Sequence, residues 1–402
     1  MDTGKIWGRN FILAMSLNGI VLAVFLAQAS TVGLFARTLG ATNVEIGVTA
    51  TVATLSALCF RPIVGWMLDR QGRALTLAIG IVVLALGTFL TNWVQDLTWL
   101  YVFSALRGAA FAFTSTACIT LATDAIPHTR LSEGFGYYSL AAILASAIGP
   151  SAGLAVVKDL GFPVFWLGTG TIVAVSLGLT FLLRSPHDAG LFEAKAEAVR
   201  NSERNVPVLR EKLSLVSGIL VPSSLNLLAF LAFSALMTFL PLLIVNRDIP
   251  NGGIYFTVQA AGTLLVRLFG SRLGERHGYR PMLLLFLPLM TASYVLIGLA
   301  SSLPLLLVAA VAYGIGNGVA QPLYTATLIK ECPPGQRGKA NAFFMAASDI
   351  GLSIGAVLLG AVSTATGGFA AVYYTAAAVT LIQIAVVVFS KAIPGKSHVE
   401  RG

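Results

Sequence analysis

Two ionisable residues stand deep inside long apolar runs, where a charge is hardest to accommodate. Asp349 is the only one of the seventeen acidic residues near the middle of such a run. Because burial disfavours a charged carboxylate, this position suits a reversible proton carrier, a cation-recognising group or a helix-packing group. Arg107 lies about 14 Å from one end of its run, at ~1.5 Å per residue. An arginine at that depth can polarise a protonatable group or hold an anion, or backbone carbonyls alone can satisfy it.

A charged, glycine-containing hairpin joins the second and third apolar runs. It comprises Gly65, Asp69, Arg70, Gly72 and Arg73, and Asp124 at the end of the fourth run can join its charge network. The pattern returns 206 residues later, where Arg267 matches Arg61 and Gly278 matches Gly72. The chain therefore contains two related halves. The hairpin either takes part in a conformational switch or is a tight positive loop that fixes topology.

The fifth apolar run carries small residues around a proline: Gly136, Gly149, Pro150 and Gly153. Pro150 removes one helical hydrogen bond and predicts a kink. Glycines at this spacing give a smooth face on which a neighbouring membrane helix can pack closely.

The elements that position these residues are membrane helices. The 402 residues are 56% apolar and 11% charged, with a mean hydropathy of +0.83. A soluble domain carries about a quarter of its residues as charges, so a water-soluble globule is excluded. At ~20 apolar residues per span, the chain accommodates about twelve helices. We predict the spans 9–36, 44–68, 74–93, 98–123, 133–158, 162–184, 213–244, 252–274, 280–300, 304–330, 338–364 and 368–391.

Lysine and arginine are distributed unevenly between the two sides of these spans. Twenty of the 26 fall in segments on the side of the termini, three on the opposite side and three inside spans. The positive-inside rule then predicts both termini in the cytoplasm, and it explains the basic excess without a nucleic-acid partner. The polar linker 185–212 separates the halves 1–184 and 213–402. No phosphate loop, metal-ligand cluster or catalytic constellation is present in the sequence, so we expect no cofactor, no metal and no enzyme.

The hairpin resembles the signature loop of the major facilitator superfamily, and the resemblance covers essentially the whole chain. It implies an all-α membrane protein with twelve transmembrane helices in two six-helix pseudo-repeats and a substrate site between them. The hairpin is implied to latch the halves on the cytoplasmic side of an outward-open state. The fifth run resembles the antiporter motif, with Ala145 and Leu154 replacing two of its glycines, and Arg107 with Gly108 resembles a third motif of the family.

The implied function is proton-coupled export of a small drug or metabolite by a monomer in the cytoplasmic membrane. Its partners are the small molecule, protons and lipid, and we assign proton coupling to Asp349 and Arg107. In this family the first helix of each three-helix group lines the cavity, which gives the candidates Asn18, Gln28, Thr114, Ser115, Asn226, Asn317, Gln321 and Tyr324. Many drug exporters of the family carry an acid in the first helix, where this chain has the amides Asn18 and Gln28, so the chain departs there from their usual coupling scheme.

Three alternatives stay open at this point. The first is an importer or uniporter of a polar solute such as a sugar or organic anion, which the fifth-helix motif disfavours. The others are a lipid-handling enzyme or scramblase and a non-transporting receptor, which the retained hairpin disfavours. Among exported molecules, the sequence does not separate a lipophilic drug from a polar zwitterion such as a metal chelator.

Overall fold

The chain folds into a bundle of helices. The computed structural model describes residues 6–127, 130–183, 217–332, 337–390 and 393, so the predicted linker 185–212 lies outside the described residues. The described helices are α1 (Arg9–Thr38), α2 (Asn43–Arg70), α3 (Arg73–Thr91), α4 (Leu97–Ala125), α5 and α6 (together Leu131–Thr180), α7 (217–246), α8 (Ile254–His277), α9 (Tyr279–Leu299), α10 (Leu303–Glu331), α11 (Arg337–Thr366) and α12 (Ala370–Phe389).

Two of these helices depart from a regular rod. Gly161 has φ +82°, a left-handed conformation that ends α5 (131–160) and starts α6 (162–180) in a new direction. In α7, a π-helical turn at Ala235–Phe239 separates Ser217–Ser234 from Leu240–Asn246. Ten stretches of the described residues are long and apolar enough to cross a membrane. Because one of the ten contains both α5 and α6, and α8 adds another helix, the described bundle is consistent with the twelve predicted spans.

Glycines at the two repeated hairpins set the starts of α3 and α9. Gly72 and Gly278 occupy the N-cap positions with φ +93° and φ +86°, a region that a side chain makes unfavourable. At the start of α2, Thr42 and Glu45 form a reciprocal capping box, with the Thr42 amide donating to Glu45 Oε2 at 2.7 Å. The positive φ values of Gly72 and Gly278 show that the 206-residue repeat of the sequence is also a repeat in backbone geometry.

The two halves pack their helices in the same way. In the first half α4 crosses α2, and a Cβ built on Gly108 would lie 1.9 Å from the carbonyl oxygen of Ala53. In the second half α10 crosses α8, and a Cβ on Gly314 would lie 2.3 Å from the carbonyl oxygen of Gln259. Both pairs are related by the 206-residue offset of the sequence. Small residues thus allow the same close backbone approach in each half.

The halves meet along α2 with α11 and along α5 with α8. We call the end of the bundle where α1 begins and α12 ends the termini side, and the opposite end the far side. On the far side, Asn43 Nδ2 donates to Ser363 Oγ at 3.0 Å, and Thr51 Oγ1 donates to the Ser353 carbonyl at 2.7 Å. Between them, a Cβ on Gly47 would lie 2.3 Å from the carbonyl oxygen of Ala356. The backbones of α2 and α11 are therefore in direct contact there.

The second contact between the halves also lies on the far side. Ser151 Oγ donates to the Gly253 carbonyl at 2.8 Å, and Thr257 Oγ1 donates to the Ala147 carbonyl at 2.9 Å. Towards the termini side, a cavity of about 780 Å³ separates α5 from α8 and α10. The described halves thus touch on the far side, where α5, α7 and α8 also border a pocket of about 640 Å³, and the larger cavity separates α5 from α8 and α10 on the termini side.

Candidate functional site

Asp349 forms an ion pair that joins the two halves. It lies on α11, where Arg61 on α2 reaches it with Nη2 3.0 Å from Oδ2, and the same nitrogen donates to Oδ1 at 3.4 Å. The side chains are 16% exposed for Asp349 and 36% for Arg61. Removing one partner of such a half-buried pair would leave the other charge poorly solvated. The pair therefore links α2 of the first half to α11 of the second half.

Arg107 is buried within the first half and does not contact Asp349. Its Nε donates to the Phe103 carbonyl at 3.3 Å and its Nη2 to Ser104 Oγ at 2.9 Å. The guanidinium carbon lies 5.0 Å from the centroid of the Trp166 ring, a cation–π contact. The structure thus separates the two residues to which the sequence assigns proton coupling, and it gives Asp349 a different arginine.

The charged hairpin after α2 forms part of the network that the sequence predicts. Arg73 Nε donates to Asp124 Oδ2 at 3.0 Å, which ties the start of α3 to the end of α4. Arg70 lies over the ring of Trp66, 5.0 Å from its centroid. The side chain of Asp69 lies outside the described part of the chain. The latch role of the hairpin, which includes Gly65 and Gly72, stays a prediction.

The small residues of α5 have two different surroundings. A Cβ on Gly149 would lie 2.3 Å from the Ala23 carbonyl oxygen, and one on Gly153 would lie 3.0 Å from the Ala27 Cβ. These two glycines, on either side of Pro150, therefore pack α5 closely against α1. Gly136 instead has open space around it and lines the termini-side cavity.

Asn317 and Gln321 are predicted cavity residues that line a cavity in the described structure. Asn317 and Gln321 face a space of about 290 Å³ together with Arg267, and Gln321 and Arg267 also border the larger termini-side cavity. Gln321 Nε2 donates to the Oδ1 of Asn226 at 3.2 Å. Asn226 is buried and donates to the Phe344 carbonyl at 3.0 Å. Asn226 is therefore fixed in position and orients the side chain of Gln321.

Four of the other predicted cavity residues form hydrogen bonds inside the halves, and Asn18 is buried. Gln28 donates to Thr88 Oγ1 at 2.9 Å, and Thr114 and Ser115 donate to carbonyls one turn earlier in their own helix. Tyr324 accepts from Gln383 Nε2 at 3.2 Å, and Asn18 is 8% exposed. Polarity on these helices therefore does not by itself identify a cavity wall.

Sequence reasoning singled out Arg267 as a snorkelling or gating residue but did not assign it, or the aromatic rings, to the smaller cavity. Arg267 lies on α8, and Phe230 and Phe233 lie on α7 beside Tyr313 of α10. The match of Arg267 to Arg61 in the repeat was the available signal for the cation. The aromatic residues carried no signal, because apolar side chains occur on every face of these helices.

The arrangement defines a multi-pass helical membrane protein with a cavity between two related halves. The family model of the Major Facilitator Superfamily matches residues 10–250 and 223–401, and the chain belongs to this family. It is 25% identical to the staphylopine export protein of Staphylococcus aureus, covering 82% of this chain and 83% of that protein. It is 24% identical to the multidrug resistance protein MdtG of Escherichia coli, covering 94% of each chain.

Solved structures give the same fold. The xylose transporter XylE from E. coli superposes with a TM-score of 0.77 at 14% sequence identity, covering 96% of each chain. The predicted family and architecture are confirmed, and the protein is a transporter rather than an enzyme.

Proposed function

We propose that this transporter exports a small drug-like molecule or metabolite in exchange for protons, by alternating access in the cytoplasmic membrane. The proposed orientation has both termini in the cytoplasm, because 20 of the 26 basic residues fall in segments on that side. The termini-side cavity then faces the cytoplasm and the closed far side faces outward. The described conformation corresponds to the inward-open state of the cycle.

The ion pair between Arg61 and Asp349 is the observation that carries the proposal. In the inward-open state Asp349 is ionised and paired, as expected after a proton has left for the cytoplasm. Protonation of Asp349 removes its attraction to Arg61 and weakens the α2–α11 contact, which favours the outward-open state, in which the two helices separate on the far side. The proton therefore biases the equilibrium between the two states, which is the requirement for coupling.

Export is favoured over import by two further observations. The relatives with named activities are a staphylopine export protein and a multidrug resistance protein. Gly149 and Gly153 of the antiporter-type motif also pack α5 closely against α1, which supports this interpretation of the motif. Arg107 in this scheme is a buried charge of the first half, and proton transfer does not pass through it.

The test uses purified protein in lipid vesicles that contain a pH-sensitive dye. Candidate substrates, including ethidium and small zwitterionic acids, are added to wild type, Asp349→Asn and the exposed far-side control Asp159→Asn. We expect substrate-driven proton movement in wild type and in the control, and its loss in Asp349→Asn.

Each other outcome contradicts a defined part of the proposal. Proton movement that persists in Asp349→Asn would place the proton carrier elsewhere. Substrate transport by wild type without proton movement would replace the antiporter with a uniporter. Uptake driven by an inward proton gradient in the same direction would instead indicate an importer.

A further inference from the structure

The repeat that relates Arg61 to Arg267 breaks down at their partners. Arg61 on α2 pairs with Asp349 on α11. At the same 206-residue offset, the position equivalent to Asp349 is Ile143 on α5. Ile143 and Arg267 line the same termini-side cavity, so the residue that replaces the acid on this cavity wall is apolar. The repeat thus keeps the arginine, as Arg267, but has no acidic residue at the position equivalent to Asp349.

Arg267 has no ion pair or hydrogen bond to any group in the part of the chain that the structure describes. Its Nε is buried without a hydrogen-bond partner, and the side chain borders both cavities. Glu133 is the acid on the wall of the larger cavity, but Arg130 holds it through two bonds of 2.8 and 2.9 Å. A guanidinium without a counter-charge is unfavourable in such a place. An anion that enters the cavity would therefore be attracted to Arg267.

The surroundings of Arg267 indicate the chemistry of that anion. The planar fork of a guanidinium matches the two oxygens of a carboxylate. Asn317 and Gln321 offer amide groups on the same wall, and Phe230 and Phe233 provide an apolar surface. A single cation with two neutral amides suits a group of one negative charge better than a phosphate dianion.

We propose that Arg267 binds a carboxylate of the transported molecule, whose aromatic or apolar part packs against Phe230 and Phe233. The inference rests on the proposed function in one respect, namely that the ligand of this cavity is the exported molecule. It narrows the substrate class to organic acids and zwitterions and excludes purely cationic lipophilic drugs. The space lined by Phe230 and Phe233 is about 290 Å³, and it shares Arg267 and Gln321 with the larger cavity of about 780 Å³, so a small molecule can occupy both.

The test measures binding to detergent-purified protein by the shift of its thermal unfolding midpoint, with no proton gradient present. The probes are N-benzoylglycine, its neutral amide, benzylamine and phenyl phosphate. Wild type should be stabilised by N-benzoylglycine and not by the amide or the amine. Arg267→Gln should bind N-benzoylglycine at least tenfold more weakly, and Arg267→Lys should fall between. Lys158→Gln, which removes an exposed cation from the far side, should bind like wild type.

A second variant supplies the missing acid. In Ile143→Asp the new carboxylate should pair with Arg267 and remove binding of N-benzoylglycine, whereas Ile143→Asn should retain it. The comparison of Ile143→Asp with Ile143→Asn also tests carboxylate binding by Arg267 if Arg267→Gln does not fold. Equal binding of the acid and its amide, tighter binding of phenyl phosphate, unchanged binding by Arg267→Gln, or no stabilisation of wild type by N-benzoylglycine would each overturn the proposal. Because no proton moves in this assay, its result is independent of the antiport mechanism.

Discussion

Replacing Gly47 by alanine should open the far side of the bundle. A Cβ at this position would lie 2.3 Å from the Ala356 carbonyl oxygen, and real Cβ atoms essentially never approach within 3.0 Å. The obstacle is backbone, so α11 has to withdraw by several tenths of an ångström. Overpacking of this kind costs about 1–3 kcal/mol, which corresponds to a shift of about 5- to 150-fold in an equilibrium. The strain exists only while the far side is closed, so the alternative state gains population.

Cross-linking measures this shift directly. Cysteines at positions 43 and 363, whose native side chains are 3.0 Å apart, report far-side closure in a protein whose three native cysteines have been replaced. Gly47→Ala should slow disulfide formation between them by about 5-fold or more. Gly168→Ala, where a Cβ would meet open space, is the matched control and should leave the rate unchanged.

A third variant separates gating from general destabilisation. Gly108→Ala places a Cβ 1.9 Å from the Ala53 carbonyl oxygen, but this contact lies within the first half. It should lower the thermal stability while the folded protein cross-links at the wild-type rate. Unchanged cross-linking in Gly47→Ala, or an equal loss in Gly108→Ala, would refute the assignment of Gly47 to the far-side closure.

Three further predictions concern stability and are measured by thermal unfolding of the purified protein. Arg61→Glu and Asp349→Arg should each lower the free energy of unfolding. The charge-swapped double variant should recover about 1–3 kcal/mol of it, between the values for exposed and buried ion pairs. A double variant that is no more stable than either single variant would contradict the ion pair. Gly161→Ala should lose about 1–2 kcal/mol because its φ of +82° is unfavourable for an L side chain, and an unchanged midpoint would mean that α5 and α6 can straighten. Arg247→Gln should lose about 1–3 kcal/mol because Arg247 donates to the carbonyls of Ile297, Gly298 and Ala300 at the end of α9, and Lys158→Gln serves as its control.

The positions of the helices could be predicted from the sequence because lipid imposes length and hydrophobicity on every span. The span predicted at 280–300 is found at Tyr279–Leu299, and the hairpin glycine Gly72 has the positive φ that its place required. The π-helical turn Ala235–Phe239 of α7 was not predicted. A π-helical turn is a local change in hydrogen-bond register, and such a change leaves no trace in the apolar pattern of the sequence.

The site was harder to predict because its contacts depend on how the helices rotate and cross. Asp349 stood out as an isolated buried acid, but its partner Arg61 lies 288 residues away in the chain. Gln28 and Gln321 are both amides on predicted cavity helices, and one of them bonds to Thr88 while the other borders a cavity. Residue type and predicted helix do not distinguish Gln28 from Gln321. Only the rotation of each helix about its axis decides which of the two side chains borders a cavity.

The two crossings between the halves have become chemically different through one position of the repeat. Asp349 stands at the α2–α11 crossing, and Ile143 stands at the equivalent place on α5. With the acid, the arginine of the crossing has an internal counter-charge, and in the proposed mechanism a proton on Asp349 loosens the contact. Without the acid, the equivalent Arg267 depends on a charge that comes from outside the protein. A duplicated scaffold with one paired and one unpaired arginine can therefore assign proton sensing to one interface and recognition of the transported molecule to the other.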